Sequence, residues 1–204
     1  MFMLTDETLL EGTDHLAACD PDLARILATL GPPPLWAREP GFPTLLHIIL
    51  EQQVSLASAQ AAFDRLRALA TPLTPATFLA LDDVALKTVG FSRQKMGYGR
   101  HLAQALYNDE LDLSALADLD DATVRATLIK LKGVGLWTAD VYLLMALRRP
   151  DIWPVGDLAL VIALQKLKQL PTRPQPAEME ALAREWRPWR AVAARLLWHY
   201  YLSK

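Results

Sequence analysis

Apolar residues recur every three or four positions along most of the chain, which is the spacing of one buried face of an α-helix. Leu23, Ile26 and Leu30 fall at that spacing in a segment that opens with Asp20-Pro21 and closes at Gly31. An aspartate, a first-turn proline and a terminal glycine are residues that begin and end helices. Alternating apolar and polar runs of the strand type are nearly absent. The pattern therefore predicts an all-α fold with roughly ten helices.

The same spacing, together with residues that favour helix starts, predicts further helices. Two of them, over residues 43–50 and 55–69, are separated by a short polar turn. Two others, over residues 120–130 and 135–147, are separated by a turn that contains two glycines. Additional helix starts are predicted at Asp82, Ser92, Asp120 and Pro176.

Composition excludes several classes of site. The single cysteine, Cys19, rules out an internal disulfide framework, a four-cysteine zinc site and a protein-ligated iron–sulfur cluster within one chain. The amino terminus lacks the basic start and apolar run of a signal peptide, and the longest apolar run, residues 158–164, is far too short to cross a bilayer. We therefore expect an intracellular protein without a membrane segment. The histidines are too dispersed to indicate a metal site: His15, His47, His101 and His199.

Charge alone is ambiguous about a nucleic-acid partner. The formal net charge is -2, whereas proteins that bind phosphate backbones tend to be basic. The charges are segregated, however, because residues 87–101 contain four basic side chains and no acid, and acids crowd residues 109–121. Such segregation can give a nearly neutral protein one positive face, although a solvated helix surface explains it equally well.

The turn between residues 131 and 135 is a candidate anion site. Gly133 and Gly135 permit a tight turn that leaves backbone N–H groups unpaired at a helix start, where the helix dipole is positive. Lys132 adds a full positive charge beside them. An ordinary tight connection between two helices is the alternative.

Four landmarks in order resemble one family. Residues 131–139, LKGVGLWTA, resemble the helix–hairpin–helix of the DNA glycosylase superfamily named for that hairpin and its Gly/Pro-rich loop and aspartate. Residues 153–157, WPVGD, stand where that loop and aspartate would follow. Residues 48–55, IILEQQVS, resemble the minor-groove wedge region. Residues 185–190, EWRPWR, leading into Leu197-Trp198, are similar to the carboxyl end of the alkylation-repair branch, the 3-methyladenine glycosylases of AlkA type.

This resemblance implies two helical subdomains that flank a DNA-binding cleft. Residues 41–150 would form a central bundle containing the hairpin at about 120–147. Residues 1–40 and 151–204 would form the second subdomain. The implied partner is double-stranded DNA with damaged bases, bound by a monomer. The resemblance implies no required cofactor or metal, although hairpin carbonyls in relatives can hold a monovalent cation when DNA is bound.

The resemblance implies that Asp157 is the catalytic residue. Breaking an N-glycosidic bond builds positive charge on the sugar, and a carboxylate held nearby stabilises that charge and can orient a water. From the residues alone, a helix N-cap before Leu158 is the favoured interpretation of Asp157. The resemblance reverses that preference, and the two roles are compatible.

The resemblance also implies a reaction class and a base pocket. Relatives that cut the DNA backbone use a lysine where this chain has Trp137, which cannot form a Schiff base with the sugar. Trp137 and Trp198 would stack on a positively charged alkylated purine, although both could be core residues. Relatives often place a pocket tyrosine where this chain has Val141, with Tyr142 adjacent. We therefore expect Tyr142 in a modified pocket.

The remaining predicted residues would contact DNA. Gln53, next to Gln52, would fill the space that a flipped base leaves. Arg187 and Arg190 stand beside tryptophans and could be structural instead. The predicted hairpin and phosphate contacts are Lys132, Gly133, Gly135, Thr138, Arg93 and Lys95.

The sequence thus predicts a monofunctional DNA glycosylase of base excision repair that releases alkylated purines of the 3-methyladenine and 7-methylguanine type. Alternatives are a glycosylase for other damaged or mismatched bases, a non-catalytic helix–hairpin–helix DNA-binding module, and an α-helical interaction scaffold.

Overall fold

The computed structural model describes residues 2–203 of the chain. Over that range it contains twelve α-helices, two short 3-10 turns and no β-strand. The predicted all-α fold is therefore confirmed, with slightly more helices than the periodicity indicated. None of the helices in residues 2–203 combines the length and apolar character needed to cross a lipid bilayer.

The chain divides into two compact units. One unit joins the residues up to Ala37 with those from Leu143 onwards, and the other is Arg38–Tyr142. The boundaries predicted from sequence were residues 41 and 150. The second boundary of the observed division falls inside a single helix, Leu136–Met145.

In the unit 38–142, the helices are α3 (Phe42–Glu51), α4 (Leu56–Leu69), α5 (Pro75–Leu79), α6 (Asp83–Thr88), α7 (Arg93–Tyr107), α8 (Asp121–Leu128) and most of α9 (Leu136–Met145). Helix α3 is the centre of this unit, since every residue from Thr44 to Glu51 is buried. It packs against α4 and α7, and α5 also packs on α7. An apolar helix that is buried on all sides fixes the positions of the helices around it.

The other unit contains α1 (Asp6–Cys19), α2 (Pro21–Leu30), α10 (Leu158–Leu167), α11 (Pro176–Ala183) and α12 (Arg190–Leu202). Helix α12 is buried from Ala191 to Trp198 and packs against α1, α2 and α10. Within this buried stretch the Arg195 guanidinium donates to the carbonyls of Leu35, Ala191 and Leu144 at 2.7–3.0 Å. Burial lowers the pKa of Arg195 to about 9. The three carbonyls compensate for lost hydration and join three chain segments.

Side-chain caps set most of the predicted helix starts. The N-cap side chains Asp20, Ser55, Asp82, Ser92 and Asp120 each accept a backbone N–H from the first turn of the helix that follows. Each such bond satisfies a donor that the helix itself cannot pair. These starts, and the start at Pro176, are where the sequence placed them.

The hairpin turn requires glycine at position 133 for two independent reasons. Gly133 has a φ of +88°, in the region that other residues rarely adopt. The ring of Tyr98, from α7, also covers the residue, and a Cβ added there would lie 2.1 Å from Tyr98 Cγ. The turn that joins α8 to α9 therefore packs closely against the Tyr98 ring of α7.

We expect Gly133→Ala to destabilise the protein by more than about 2 kcal/mol, because it adds backbone strain and displaces an aromatic ring. Gly97→Ala is the control, since Gly97 lies inside α7 and a Cβ there meets no atom within 4 Å. Gly97→Ala should raise the free energy of unfolding by about 0.5–1 kcal/mol. Urea unfolding of both variants checks the pair, and equal stabilities would contradict the expectation.

Candidate active site and nucleic-acid interface

Asp157 lies at the start of α10, with its carboxylate almost buried. The residue is 8% exposed. Its Oδ1 accepts the backbone N–H of Leu160 at 3.0 Å, which is an N-cap bond, and the indole N–H of Trp198 at 3.1 Å. The preceding Gly156 has a φ of +84°, and the turn it forms brings Asp157 to the helix start. The structure thus joins two residues that the sequence predicted separately, 41 positions apart.

Trp198 has an aromatic neighbour that the sequence analysis missed. The ring of Trp36 meets that of Trp198 edge-on, with centroids 6.4 Å apart, and also meets His199 at 6.5 Å. Trp36 follows a proline-rich loop and has a φ of +48°. Nothing in the sequence near Trp36 indicates this contact, because only packing on α12 creates it.

Asp20 repeats the arrangement of Asp157 elsewhere in the same unit. Asp20 caps α2, and its carboxylate accepts the indole N–H of Trp186 at 3.0 Å. The Lys168 ammonium lies 2.9 Å from both carboxylate oxygens. Burial opposes ionisation, but the bonds from Lys168, Trp186 and Asp22 outweigh it and lower the pKa of Asp20. A buried N-cap aspartate bonded to an indole is therefore a structural device in this protein as well.

Tyr142 does not present its side chain to a ligand. It is fully buried, and its hydroxyl accepts the backbone N–H of Gly41 at 3.0 Å. Burial raises the pKa of the Tyr142 phenol. Val141 is buried too. Tyr142 therefore contributes to the core of the unit 38–142, and we remove it from the candidate base pocket. Trp137, at the second position of α9, is half-buried.

The hairpin offers an exposed surface at the start of α9. Lys132 and Gly135 are exposed, and no atom lies within 4 Å of a Cβ added at Gly135. Leu136 is 61% exposed, which is high for a leucine. Arg93 is exposed at the start of α7. The surface therefore combines open backbone, positive charge and an apolar side chain.

Gln53 forms the tip of the turn between α3 and α4. It is exposed and has a φ of +56°. The residues on each side of this turn differ in environment, since Glu51 is buried whereas Val54 is 46% exposed. Gln53 is therefore an exposed residue on a tight turn, and its role as a wedge stays a prediction.

Three predicted DNA contacts instead bond within the protein. The Gln52 amide donates to the Gly133 carbonyl and to the Thr138 hydroxyl, and Thr138 is only 2% exposed. The Lys95 ammonium donates to the carbonyls of Leu50 and Gln52. The prediction that Gln52, Thr138 and Lys95 contact DNA is corrected: their polar groups face each other or the backbone.

Arg190 has a structural role, which is one of the two alternatives that the sequence left open for it. Its guanidinium binds the Asp151 carboxylate through two nitrogens at 2.7 and 2.8 Å and also donates to the Asp151 carbonyl. Arg187 is exposed. The two arginines of one short motif thus have different environments.

Residues 46–188, well over half of the chain, match the model of the HhH-GPD superfamily of base excision DNA repair proteins. The chain belongs to the HhH-GPD superfamily. YfjP of Bacillus subtilis is 32% identical over 124 residues, which are 61% of this chain and 43% of YfjP. The chain thus spans less than half of that relative's length.

Two relatives from Schizosaccharomyces pombe align over nearly the whole chain. The alkylbase DNA glycosidase-like protein mag2 is 26% identical over 96% of this HhH-GPD protein and 95% of mag2. DNA-3-methyladenine glycosylase 1 is 25% identical over 90% of this chain and 84% of that protein.

Solved structures of other proteins share the fold of this chain. A 3-methyladenine DNA glycosylase (Mag1) from Schizosaccharomyces pombe, in complex with abasic DNA, matches with a TM-score of 0.87 at 24% identity, over 92% of this chain and 95% of that one. A DNA-3-methyladenine glycosidase from Bacillus halodurans matches with a TM-score of 0.75 at 27% identity, over 98% of this chain and 91% of that one.

Asp20 gives a test of how buried carboxylates stabilise this HhH-GPD protein. Because its pKa is lower in the folded than in the unfolded chain, ionised Asp20 stabilises the fold above a pH of about 4. That contribution is lost as the pH falls through the folded pKa. We expect the free energy of unfolding of Asp20→Asn to fall less steeply than that of the wild type between about pH 5 and pH 2. Urea unfolding across this range checks it, and identical slopes would contradict it.

Proposed function

We propose that this protein is a monofunctional DNA glycosylase of base excision repair, which hydrolyses the N-glycosidic bond of alkylated purines flipped out of duplex DNA. The observation that carries the proposal is the Asp157 carboxylate, which is almost buried and oriented by Trp198. Support also comes from membership of the superfamily and from the names of the two yeast relatives that align over nearly the whole chain.

The proposed role of Asp157 is electrostatic. As the base leaves, positive charge builds on the sugar, and a fixed carboxylate stabilises that charge without having to reorganise. Asp157 is fixed because one oxygen accepts two N–H groups, those of Leu160 and Trp198. The scarcity of solvent around it strengthens the attraction to the sugar. The same carboxylate would orient the water that attacks the sugar.

The proposed substrate is a purine that carries positive charge. A cation over an indole face gains about 0.5–2 kcal/mol, and the indole of Trp198 is held in place by its bond to Asp157. A charged base is also a good leaving group, so a single carboxylate suffices. The role of Trp137 against the same base stays a prediction.

The proposed DNA interface combines the exposed hairpin surface with the turn between α3 and α4, residues 52–55, which we call the wedge turn. Backbone N–H groups near Gly133 and Gly135, with Lys132, would bind a phosphate at the start of α9. Arg93 would add a second phosphate contact. Gln53 would enter the duplex where the base has been extracted, and so offset part of the lost stacking.

Asp157→Asn should keep the fold and abolish base release. Asparagine still accepts the Leu160 and Trp198 N–H groups, but it has no charge, so we expect release to fall by at least about 100-fold. The measurement is chromatography of the bases freed from dimethyl-sulfate-treated duplex DNA, with DNA binding measured alongside.

The matched control is Asp20→Asn, which makes the same change at an N-cap that also bonds an indole. Its effect should be on stability alone, with base release per folded molecule unchanged. Undiminished release by Asp157→Asn, or an equal loss in the control, would refute the assignment. Binding of damaged duplex by the wild type without any freed base would instead indicate a non-catalytic DNA-binding protein.

Absence of backbone cleavage is the second test. Because position 137 is tryptophan, no Schiff base forms there with the sugar, and the product should be an intact abasic site. Borohydride added during the reaction should trap no covalent protein–DNA complex. Strands should break only after alkali treatment, and a trapped complex would contradict the monofunctional mechanism.

A further inference from the structure

The wedge turn and the hairpin are fastened to each other by one side chain. The Gln52 amide nitrogen lies 2.8 Å from the Gly133 carbonyl oxygen and 2.9 Å from Thr138 Oγ1. Gly133 is in the hairpin turn and Thr138 is in the first turn of α9, so a single amide spans both parts of the motif. The amide thereby links the residue before the wedge tip directly to the proposed phosphate-binding turn.

A second side chain, that of Lys95, also bonds to this turn. The Lys95 ammonium lies 2.6 Å from the Leu50 carbonyl and 2.8 Å from the Gln52 carbonyl, at the carboxyl end of α3. Carbonyls at a helix end lack intrahelical partners and attract positive charge. Burial lowers the pKa of Lys95, so its contacts replace hydration that the ammonium has lost.

Helix α7 is the common support for both linkages. Lys95 and Tyr98 are one helical turn apart on it, and the Tyr98 ring covers Gly133. Gln94, also on α7, donates to the Tyr98 hydroxyl at 2.6 Å. The wedge turn and the hairpin therefore rest on one rigid element in addition to being bonded to each other.

The linkages surround a residue in a costly conformation. Gln53 has a φ of +56°, which an unrestrained non-glycine residue seldom keeps. The carbonyl and the amide of the preceding Gln52 are both bonded, so the backbone that leads into Gln53 is fixed before any ligand binds. A projecting group that is ordered in advance loses less entropy on insertion.

We propose that Gln52 and Lys95 are positioning residues that hold the Gln53 wedge in its inserting orientation, at a fixed separation from the phosphate-binding hairpin. This proposal rests on the proposed function and deepens it: neither residue touches DNA, and both act through Gln53. Base extraction therefore depends on an internal network as well as on the wedge side chain.

The test uses the full-length protein with Gln52→Met, which keeps the length of the side chain and removes the amide. The first readout is fluorescence of 2-aminopurine placed opposite a stable abasic analogue in a duplex, because insertion of the wedge disturbs the stacking of that base. At saturating protein, the variant should lose most of the fluorescence change that the wild type gives, as Gln53→Ala should. Its single-turnover base release from damaged duplex should fall about tenfold, the size expected for two lost hydrogen bonds.

Two controls separate positioning from general damage. Gln60→Met removes a surface amide that bonds Asp64 within α4, and it should leave both readouts unchanged. Lys95→Met keeps an apolar stem of similar length and should reproduce the fluorescence loss, so that the proposal does not depend on one variant. Gln52→Met and Lys95→Met should each bind DNA with an affinity within a fewfold of that of the wild type.

An unchanged fluorescence amplitude in Gln52→Met and Lys95→Met would overturn the proposal. So would slower base release with the amplitude intact, which would point to a general structural role. A wild type that binds the duplex and disturbs 2-aminopurine but frees no base would contradict the proposed function while leaving the positioning role standing.

Discussion

The Asp157 carboxylate can be almost buried because one of its oxygens accepts two N–H groups. One donor comes from the first turn of α10 and the other from an indole on α12, so both helices contribute to the position of the carboxylate. The N-cap bond fixes the position of the carboxylate along α10, and the indole bond fixes its orientation. The proposed chemistry follows from this constraint, since a preorganised charge is what a developing sugar cation requires.

Asp20 combines the same two kinds of hydrogen bond with a bonded lysine. Its carboxylate also caps a helix and accepts an indole N–H, but the Lys168 ammonium bonds both of its oxygens. The bound lysine makes Asp20 part of an ion pair that stabilises the junction of α2 with neighbouring segments. Two N-cap aspartates that each bond an indole thus give the protein its own internal comparison between a structural and a proposed catalytic carboxylate.

The polar residues around the hairpin divide by the direction in which they face. Lys132 and Gln53 point to solvent, whereas the polar groups of Gln52, Lys95 and Thr138 bond inside the unit 38–142. All five were predicted as DNA contacts, Lys95 because it lies in the basic stretch and the other four because of their place in the motifs. A motif identifies which residues belong to a functional region. Within that region, the side chains that bond inside the protein support the side chains that face solvent.

The sequence by itself determined the helical class, most helix starts and the superfamily, because periodic apolar positions, capping residues and the LKGVG turn are local signals. It also singled out Asp157 and Trp198 as separate candidates. Only the tertiary structure joined those two, placed Trp36 beside Trp198, buried Tyr142, and turned Gln52, Thr138 and Lys95 inward. These features depend on contacts between distant helices, for which neighbouring residues along the chain carry no signal.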